Sequence, residues 1–324
     1  MSSSASRPRR APEEPWSTEA LILWRSYYVT SSLAPSSRLS YTSALQSYHR
    51  FCQLHDFPTK PLADTLSFLL TYRSHSLRPQ TLSSYLSGIC NQLEAFYPQV
   101  RALRQSPIVR HTLAGIHRVH STSAHRKRPL LPADLQVAID HFGSSPDYDD
   151  ALFLAQLLVG FDQLLRLAEL CCPDNPQLFD VRRSMRRFDV TVGPEHLQLL
   201  LPGNKTDKFI AGSQLLLQRW SDPICPVPYL LTYLRLRDQR FPWRPELWIR
   251  QDGSSPCRSW FHRQLRTLFD DGISGHSMRA GGATALAAAG VPSERIHFLG
   301  CWSSDSYQVY IRRHPLLLLG QFSP

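Results

Sequence analysis

Lysine is nearly absent from this chain: four residues in 324, against 32 arginines. Arginine is the better bidentate ligand for phosphate, but a GC-rich coding sequence gives the same bias, so the excess alone identifies no partner. The seven cysteines (52, 90, 171, 172, 225, 257 and 301) form no CxxC pair and are odd in number. That pattern argues against a zinc site or a disulfide scaffold and for a reducing compartment. The opening segment MSSSASRPRRAPEEP has no apolar h-region, and no run approaches the ~18–20 apolar residues that cross a bilayer. A soluble, intracellular protein with no membrane partner is the expectation. The glycines lack the GxGxxG spacing and follow no strand, which argues against a dinucleotide site. No internal repeat is evident.

What is present is a chain of 42% hydrophobic residues, long enough for a substantial core and about two domains. Its formal charge of +10 is unevenly placed. Residues 1–130 hold 16 Lys+Arg against 6 Asp+Glu, and residues 131–324 hold 20 of each. A basic first part beside a neutral second part suggests a polyanion grip on the N-terminal side, most simply DNA or RNA. A merely basic, solvated surface is the alternative reading.

Residues 1–15 carry almost nothing to bury and are expected to be disordered. From Trp16 onward, apolar residues recur three and four apart over Leu21–Tyr28, Leu39–Cys52, Leu62–Tyr72 and Thr81–Phe96, which predicts helices. Ser37, Thr65 and Thr81 stand where N-caps would. A polar, basic, Pro-bounded stretch at 120–130 reads as a linker. Beyond it helices are predicted at Pro132–His141 and Asp149–Cys171. Three short strand-like segments follow, DVTVG, HLQLLLPGNK and FIAGSQLLLQ. Helices resume at Val227–Arg240, Ser259–Phe269, Ser277–Ala289, Ser293–Leu299 and Ser304–Arg312, with Gly290 as a C′ glycine and Ser293 as an N-cap. The predicted class is mainly α with a small β-sheet (α+β). A helical domain over 16–119 would be joined by the linker to a larger domain over 131–324.

Chemistry concentrates at the end. In HSMRAGGATALAAAG, His276 and Arg279 lie three apart on one helical face, and the small residues let a second element pack close behind. Trp302 follows a Gly-Cys corner, and Tyr310 precedes Ile311 and Arg312. Each has an ordinary structural reading: a lone HxxR, a core tryptophan, a half-buried tyrosine. Taken in order, they are what phosphodiester cleavage by a tyrosine nucleophile needs: an arginine for the phosphate, a histidine for the proton, a tyrosine to attack.

This order and spacing resembles the tyrosine recombinase (phage integrase-like) family. Its hallmark is an early arginine, a β-hairpin lysine, His/Lys-x-x-Arg, a His or Trp, then the tyrosine. His276–Arg279, Trp302 and Tyr310 match the second half. The Trp-to-Tyr interval is eight residues where bacterial and phage members usually have nine, and GCWSSDSYQVYIR is similar to the eukaryotic branch of crypton-type and DIRS-type mobile elements. In the first half, LLVGFDQLLRLAELCCPD resembles the family's first-arginine helix, placing that arginine at Arg166 with Glu169 as its orienting acid. PGNKTDKF resembles the lysine-bearing turn, with Lys205 in register and Lys208 behind it, so two of the four lysines fall here. The same stretch holds a glycosylation sequon, Asn204-Lys205-Thr206, irrelevant without a signal peptide. Its GNKT also mimics a P-loop end without the upstream glycine. RLSYTSALQSYHRFC, which contains Arg38, looks like the core-binding domain. GIHRVHSTSAHRKRPLL, which contains Arg126, Lys127 and Arg128, looks like its closing linker; these four are the candidate DNA-binding cations.

The resemblance implies a partner, double-stranded DNA, and an assembly, a homo-tetramer on paired sites in a nucleus. It implies that Arg166 and Arg279 clamp the scissile phosphate, that Tyr310 forms a 3′-phosphotyrosyl bond, and that His276 assists the attack. Lys205 would protonate the leaving 5′-oxygen, and Trp302 would buttress the site and donate its indole N–H to the phosphate. The covalent link conserves the bond energy, so neither ATP, a metal nor any other cofactor is expected. Tyr307, one helical turn before Tyr310, is the competing nucleophile. The apolar tail PLLLLGQF would dock on a neighbouring subunit or on the protein's own core. A type IB topoisomerase-like enzyme and a catalytically silent DNA-binding protein derived from a mobile element are the alternative functions.

Overall fold

The computed structural model describes residues 15–120, 127–203, 212–302 and 308. The chain divides into two compact units, Met1–Ala124 and His125–Pro324. The first unit holds six helices: α1 Thr18–Ser31, α2 Pro35–Leu54, α3 Ala63–Ser74, α4 Pro79–Leu93, α5 Val100–Arg104 and α6 Pro107–His120. Its core is built from Tyr48 and Phe51 of α2, Leu66 and Leu70 of α3, Leu86 and Ile89 of α4, and Val109 and Ile116 of α6. Helix α1 contributes no buried residue to it.

The helix starts correct the expected caps. Ser37, Thr65 and Thr81 lie inside their helices, and Ala34, Leu62 and Arg78 are the N-cap residues. Proline explains two of the three. Pro35 and Pro79 occupy the first helical position, where the missing N–H is not needed and the fixed φ already suits the helix. Pro107 likewise begins α6, a helix that the sequence pattern did not announce.

In the second unit come α7 Pro132–Phe142, α8 Tyr148–Asp162 and the single turn α9 Leu167–Leu170, then three short 3-10 turns. Strands β1 Val190–Val192, β2 His196–Leu201 and β3 Ser213–Gln218 follow, then α10 Pro226–Arg240, α11 Arg258–Leu268, α12 Gly275–Ala288 and α13 Ser293–Leu299. The strands form an antiparallel sheet in the order β1-β2-β3, with β2 and β3 in register from His196↔Gln218 to Leu201↔Ser213. Alternation sets the buried face: Leu197, Leu199 and Leu201 face the core from β2, and Leu215 and Leu217 from β3. The three strand segments fall where the sequence pattern puts them. Lys205 and Lys208, expected between β2 and β3, lie outside the described residues, as does nearly all of the expected helix Ser304–Arg312.

Helix α8 is the centre of this unit. Its N-cap Asp147 accepts from Asp149 N at 2.7 Å and Asp150 N at 3.3 Å. Eleven of its residues are buried, as an all-round apolar helix requires. Phe153, Leu157 and Phe161 join Tyr233 of α10, Phe261 of α11 and Met278 of α12 in one core.

The expected helix Asp149–Cys171 is broken. It ends at Asp162, and Leu164 takes a left-handed φ of 52° before α9 begins. A leucine there costs roughly 1–2 kcal/mol. Its side chain, 1% exposed and packed with Ala283 and Ile296, recovers about 2–3 kcal/mol by burial. Burial therefore wins, and the kink persists.

Behind the kink, α12 lies almost backbone to backbone on its neighbours. A Cβ on Gly281 would sit 2.0 Å from Leu130 O, and one on Gly282 would sit 2.1 Å from Phe161 O. Gly282→Ala is therefore expected to lower stability by about 1–3 kcal/mol, read as a fall in the urea midpoint at unchanged slope. Helix α12 ends as the pattern predicts, with Gly290 at φ 79° just beyond its C-cap Ala289. At α13 the N-cap is Pro292 and not Ser293, which is the first helical residue.

Candidate functional site

Four of the six residues singled out at the catalytic positions are described, and the structure brings them together around one turn. That turn is Gly300-Cys301-Trp302, at the end of α13. Arg166 enters from the kink after α8, as the N-cap of α9. Glu169, three residues on, fixes it twice. One carboxylate oxygen accepts the Arg166 backbone N–H at 2.7 Å, and the other accepts Nη1 at 3.0 Å. The remaining arm, Nη2, donates to Cys301 O at 3.3 Å. The guanidinium therefore points out of the helical core and toward the 300–302 turn.

Arg279 comes from the second turn of α12 and is 3% exposed. Its Nη1 donates to Leu164 O and its Nη2 to Gly300 O. The left-handed kink at Leu164 thus has a use, because it turns a carbonyl that a continuous helix would consume toward the buried arginine. Cys301 is also left-handed, at φ 47°. The two arginines are held by main-chain carbonyls on two strained turns, and neighbouring residues of one turn, Gly300 and Cys301, accept from one arginine each. Trp302 closes this arrangement by lying face-on over Arg279, with the guanidinium carbon 4.0 Å from the ring centroid. Gly300 has to be glycine here, since a Cβ would fall 1.8 Å from the Trp302 ring.

His276 sits one turn before Arg279. Ser274 caps the helix beneath it by accepting His276 N at 3.3 Å, and Ser277 Oγ accepts Ser274 N at 3.0 Å. The residue is exposed to solvent. Partial desolvation, and then the charges of Arg279 and Arg166, hold its pKa below the ordinary 6.5. A neutral imidazole beside two guanidinium groups is a proton acceptor near neutral pH.

The other sequence candidates are spread more widely. Arg38 is exposed on α2. Arg126 lies outside the described residues, as do Lys205, Tyr307 and Tyr310. Lys127 donates to Asp271 O. Arg128 makes a forked pair with Asp134 at 2.6 and 2.9 Å, and its backbone N–H reaches Gly272 O at 2.9 Å. Both cations therefore also pin the start of the second unit to the turn before α12. Among the described residues, no group of three or more His, Cys, Asp or Glu side chains could hold a metal ion, and no helix is long and apolar enough to cross a membrane.

One ionisable residue of this neighbourhood escaped the sequence reading. Asp162, the last residue of α8, has its pKa raised by burial to about 6, with only a hydrogen bond from Gln163 at 2.6 Å acting against the shift. A carboxylate at a helix C-terminus also opposes the helix dipole. Because the folded value lies above the unfolded one, the contribution of Asp162 to stability is greatest below pH 4 and is lost as pH rises toward 6. Asp162→Asn should therefore stabilise the protein at pH 7 by about 1–2 kcal/mol, the shift being discounted for partial exposure. Thermal unfolding of both proteins from pH 4 to 8 checks this; parallel curves would refute it.

No protein-family model matches the sequence, and no curated protein sequence matches it either. Solved structures do resemble it in fold. A XerH site-specific recombinase bound to palindromic difH substrate in a post-cleavage complex aligns with a TM-score of 0.62 at 15% identity, over 87% of this chain and 78% of that one. A lambda integrase dimer bound to a COC′ core site gives 0.55 at 13% identity, over 90% and 76%. The Tn1549 transposon integrase in complex with transposon right end DNA gives 0.53 at 12%, over 88% and 98%. The mostly helical architecture with its small three-stranded sheet is the tyrosine recombinase fold.

Proposed function

We propose that this chain breaks and rejoins DNA as a site-specific tyrosine recombinase or integrase. One observation carries the reading. Within that fold, Arg166 and Arg279 arrive from separate helices at adjacent carbonyls of a single turn, with Trp302 over one of them and His276 alongside. Two fixed guanidinium groups suit the non-bridging oxygens of a scissile phosphate, whose charge grows in the pentacoordinate transition state. Tyr310 attacks, forming a 3′-phosphotyrosyl link and releasing a 5′-hydroxyl. Lys205 protonates the leaving oxygen, a task that requires a titratable cation and so a lysine. These two roles rest on the sequence resemblance. Trp302 acts first as a cover that keeps Arg279 desolvated. Attack by the 5′-hydroxyl of a second duplex then exchanges strands, in a tetramer on paired sites.

The first unit and the basic run at 126–128 supply the grip on the DNA backbone, in keeping with the excess of positive charge before residue 131. The eight-residue interval from Trp302 to Tyr310 favours the eukaryotic mobile-element branch, and with it a nuclear site of action.

A suicide substrate nicked beside the cleavage point tests the proposal. A recombinase yields a covalent protein–DNA adduct and needs a matched pair of sites to exchange strands. A topoisomerase relaxes plasmid without such a pair, and a silent binder retains DNA but forms no adduct. The pH profile tests His276 separately. With its pKa held below 6.5, adduct formation should stay level from pH 7.5 to about 6.5 and fall only below that. Loss of activity already above pH 7 would remove His276 from the role of base. Its protonation also opposes folding, so the contribution of His276 to stability declines as pH drops below 6.5, a loss that His276→Gln should remove.

A further inference from the structure

Three cysteines meet where the segment leaving α9 touches the start of α11. Cys171 is buried, whereas Cys172 and Cys257 are each partly open to solvent. The backbone fixes the relation of the last two. Cys172 N donates to Pro256 O at 2.9 Å, and Arg258 N donates to Cys172 O at 3.2 Å, so Cys172 and Cys257 are direct partners in a parallel β-bridge. Side chains of such partners leave the same face of the ladder, with Cα atoms within the range that a disulfide spans. The junction is fastened from its other end by Asp174, whose carboxylate accepts Ser259 N at 2.8 Å. Neither thiol serves any role in the proposed DNA chemistry.

We propose that Cys172 and Cys257 are an oxidation site that peroxide converts into a reversible disulfide across the α9–α11 junction. The thiolate of one cysteine attacks a peroxide oxygen, breaking the O–O bond and giving a sulfenic acid and hydroxide, which takes up the proton that the thiol released. The second thiolate attacks that sulfur and expels hydroxide, which is protonated to water. In total, two thiols and one hydrogen peroxide give one disulfide and two waters.

Other pairings are disfavoured by geometry. Cys171 and Cys172 are adjacent in extended backbone, with Cys171 at φ −126° and ψ 144°, so their side chains point to opposite faces. In addition, burial pushes the Cys171 thiol well up, with the neighbouring Cys172 and Cys257 adding to the effect. Burial and then Cys257 also raise the Cys172 thiol, so the reaction should quicken with rising pH. Both thiols are partly open to solvent, so a bond between them stays accessible to reductants. The site therefore behaves as a reversible clamp and not as a permanent staple.

Peptide mapping after mild peroxide treatment of the full chain at pH 8 tests this without DNA. The expected product has lost the mass of two hydrogen atoms. It gives one non-reduced cross-linked peptide containing Cys172 and Cys257, and dithiothreitol restores both thiols. Cys257→Ser should abolish that peptide and leave a sulfenic acid on Cys172 that dimedone traps. The same mapping on the unsubstituted chain keeps the result independent of how the variant folds. Oxidation of other cysteines while this pair stays reduced would overturn the proposal, as would a cross-linked peptide joining either residue to another partner.

Discussion

Arg279→Ala should abolish adduct formation, with a loss of at least about 10²–10³-fold, and should also loosen the fold. The substitution removes a buried guanidinium that serves two main-chain carbonyls, Leu164 O and Gly300 O, and supports the Trp302 ring. Each carbonyl left without a donor costs about 1–3 kcal/mol, so loss of structure has to be separated from loss of chemistry. Arg279→Lys makes the separation. It keeps the charge and most of the volume, but one ammonium cannot reproduce a planar fork that reaches two carbonyls on opposite sides. The expected result is a folded Arg279→Lys protein, with near-native circular dichroism and a lowered denaturation midpoint, that still binds duplex DNA and forms no measurable adduct. Glu169→Gln should act more gently, because it weakens the orientation of Arg166 without removing the guanidinium. A folded Arg279→Ala protein that forms adduct at nearly the unsubstituted rate would defeat the proposed role.

Much of this candidate site is legible in sequence because the chemistry proposed for it demands particular side chains at particular spacings. His276 and Arg279 share a helical face, and of the glycines after them Gly281 admits the backbone at Leu130 and Gly282 that of α8. Alternation of Leu197, Leu199 and Leu201 likewise announces β2. What sequence conceals is main-chain geometry. Nothing in the letters FDQLLRLAEL shows that Leu164 turns left-handed, because leucine ordinarily avoids that region and adopts it here only under tertiary packing with Ala283 and Ile296. Yet that kink supplies the carbonyl for Arg279 and sets Arg166 at the head of a new helix. The same limit applies at Cys301. The helix starts differ from the expected caps for a different reason: Ser37 and Thr81 lie two residues beyond Pro35 and Pro79, which already hold the first helical position.

Tyr310→Phe should eliminate the covalent adduct while leaving DNA binding and stability unchanged. A phenyl ring keeps the size and packing of the phenol but has no oxygen to attack phosphorus. Tyr307→Phe is the necessary companion, because Tyr307 lies one helical turn earlier on the sequence pattern. If Tyr310 is the nucleophile, Tyr307→Phe retains adduct formation to within a few-fold, and protease digestion of the adduct leaves the nucleotide on a peptide containing Ile311 and Arg312. The reverse outcome, an adduct that survives Tyr310→Phe and vanishes with Tyr307→Phe, would shorten the interval after Trp302 by a further three residues. That would break the correspondence with the recombinase pattern on which the mobile-element branch rests, while leaving the two-arginine arrangement at the 300–302 turn in place. Loss of adduct in both single variants, with both still folded and binding DNA, would instead require the two hydroxyls to act together.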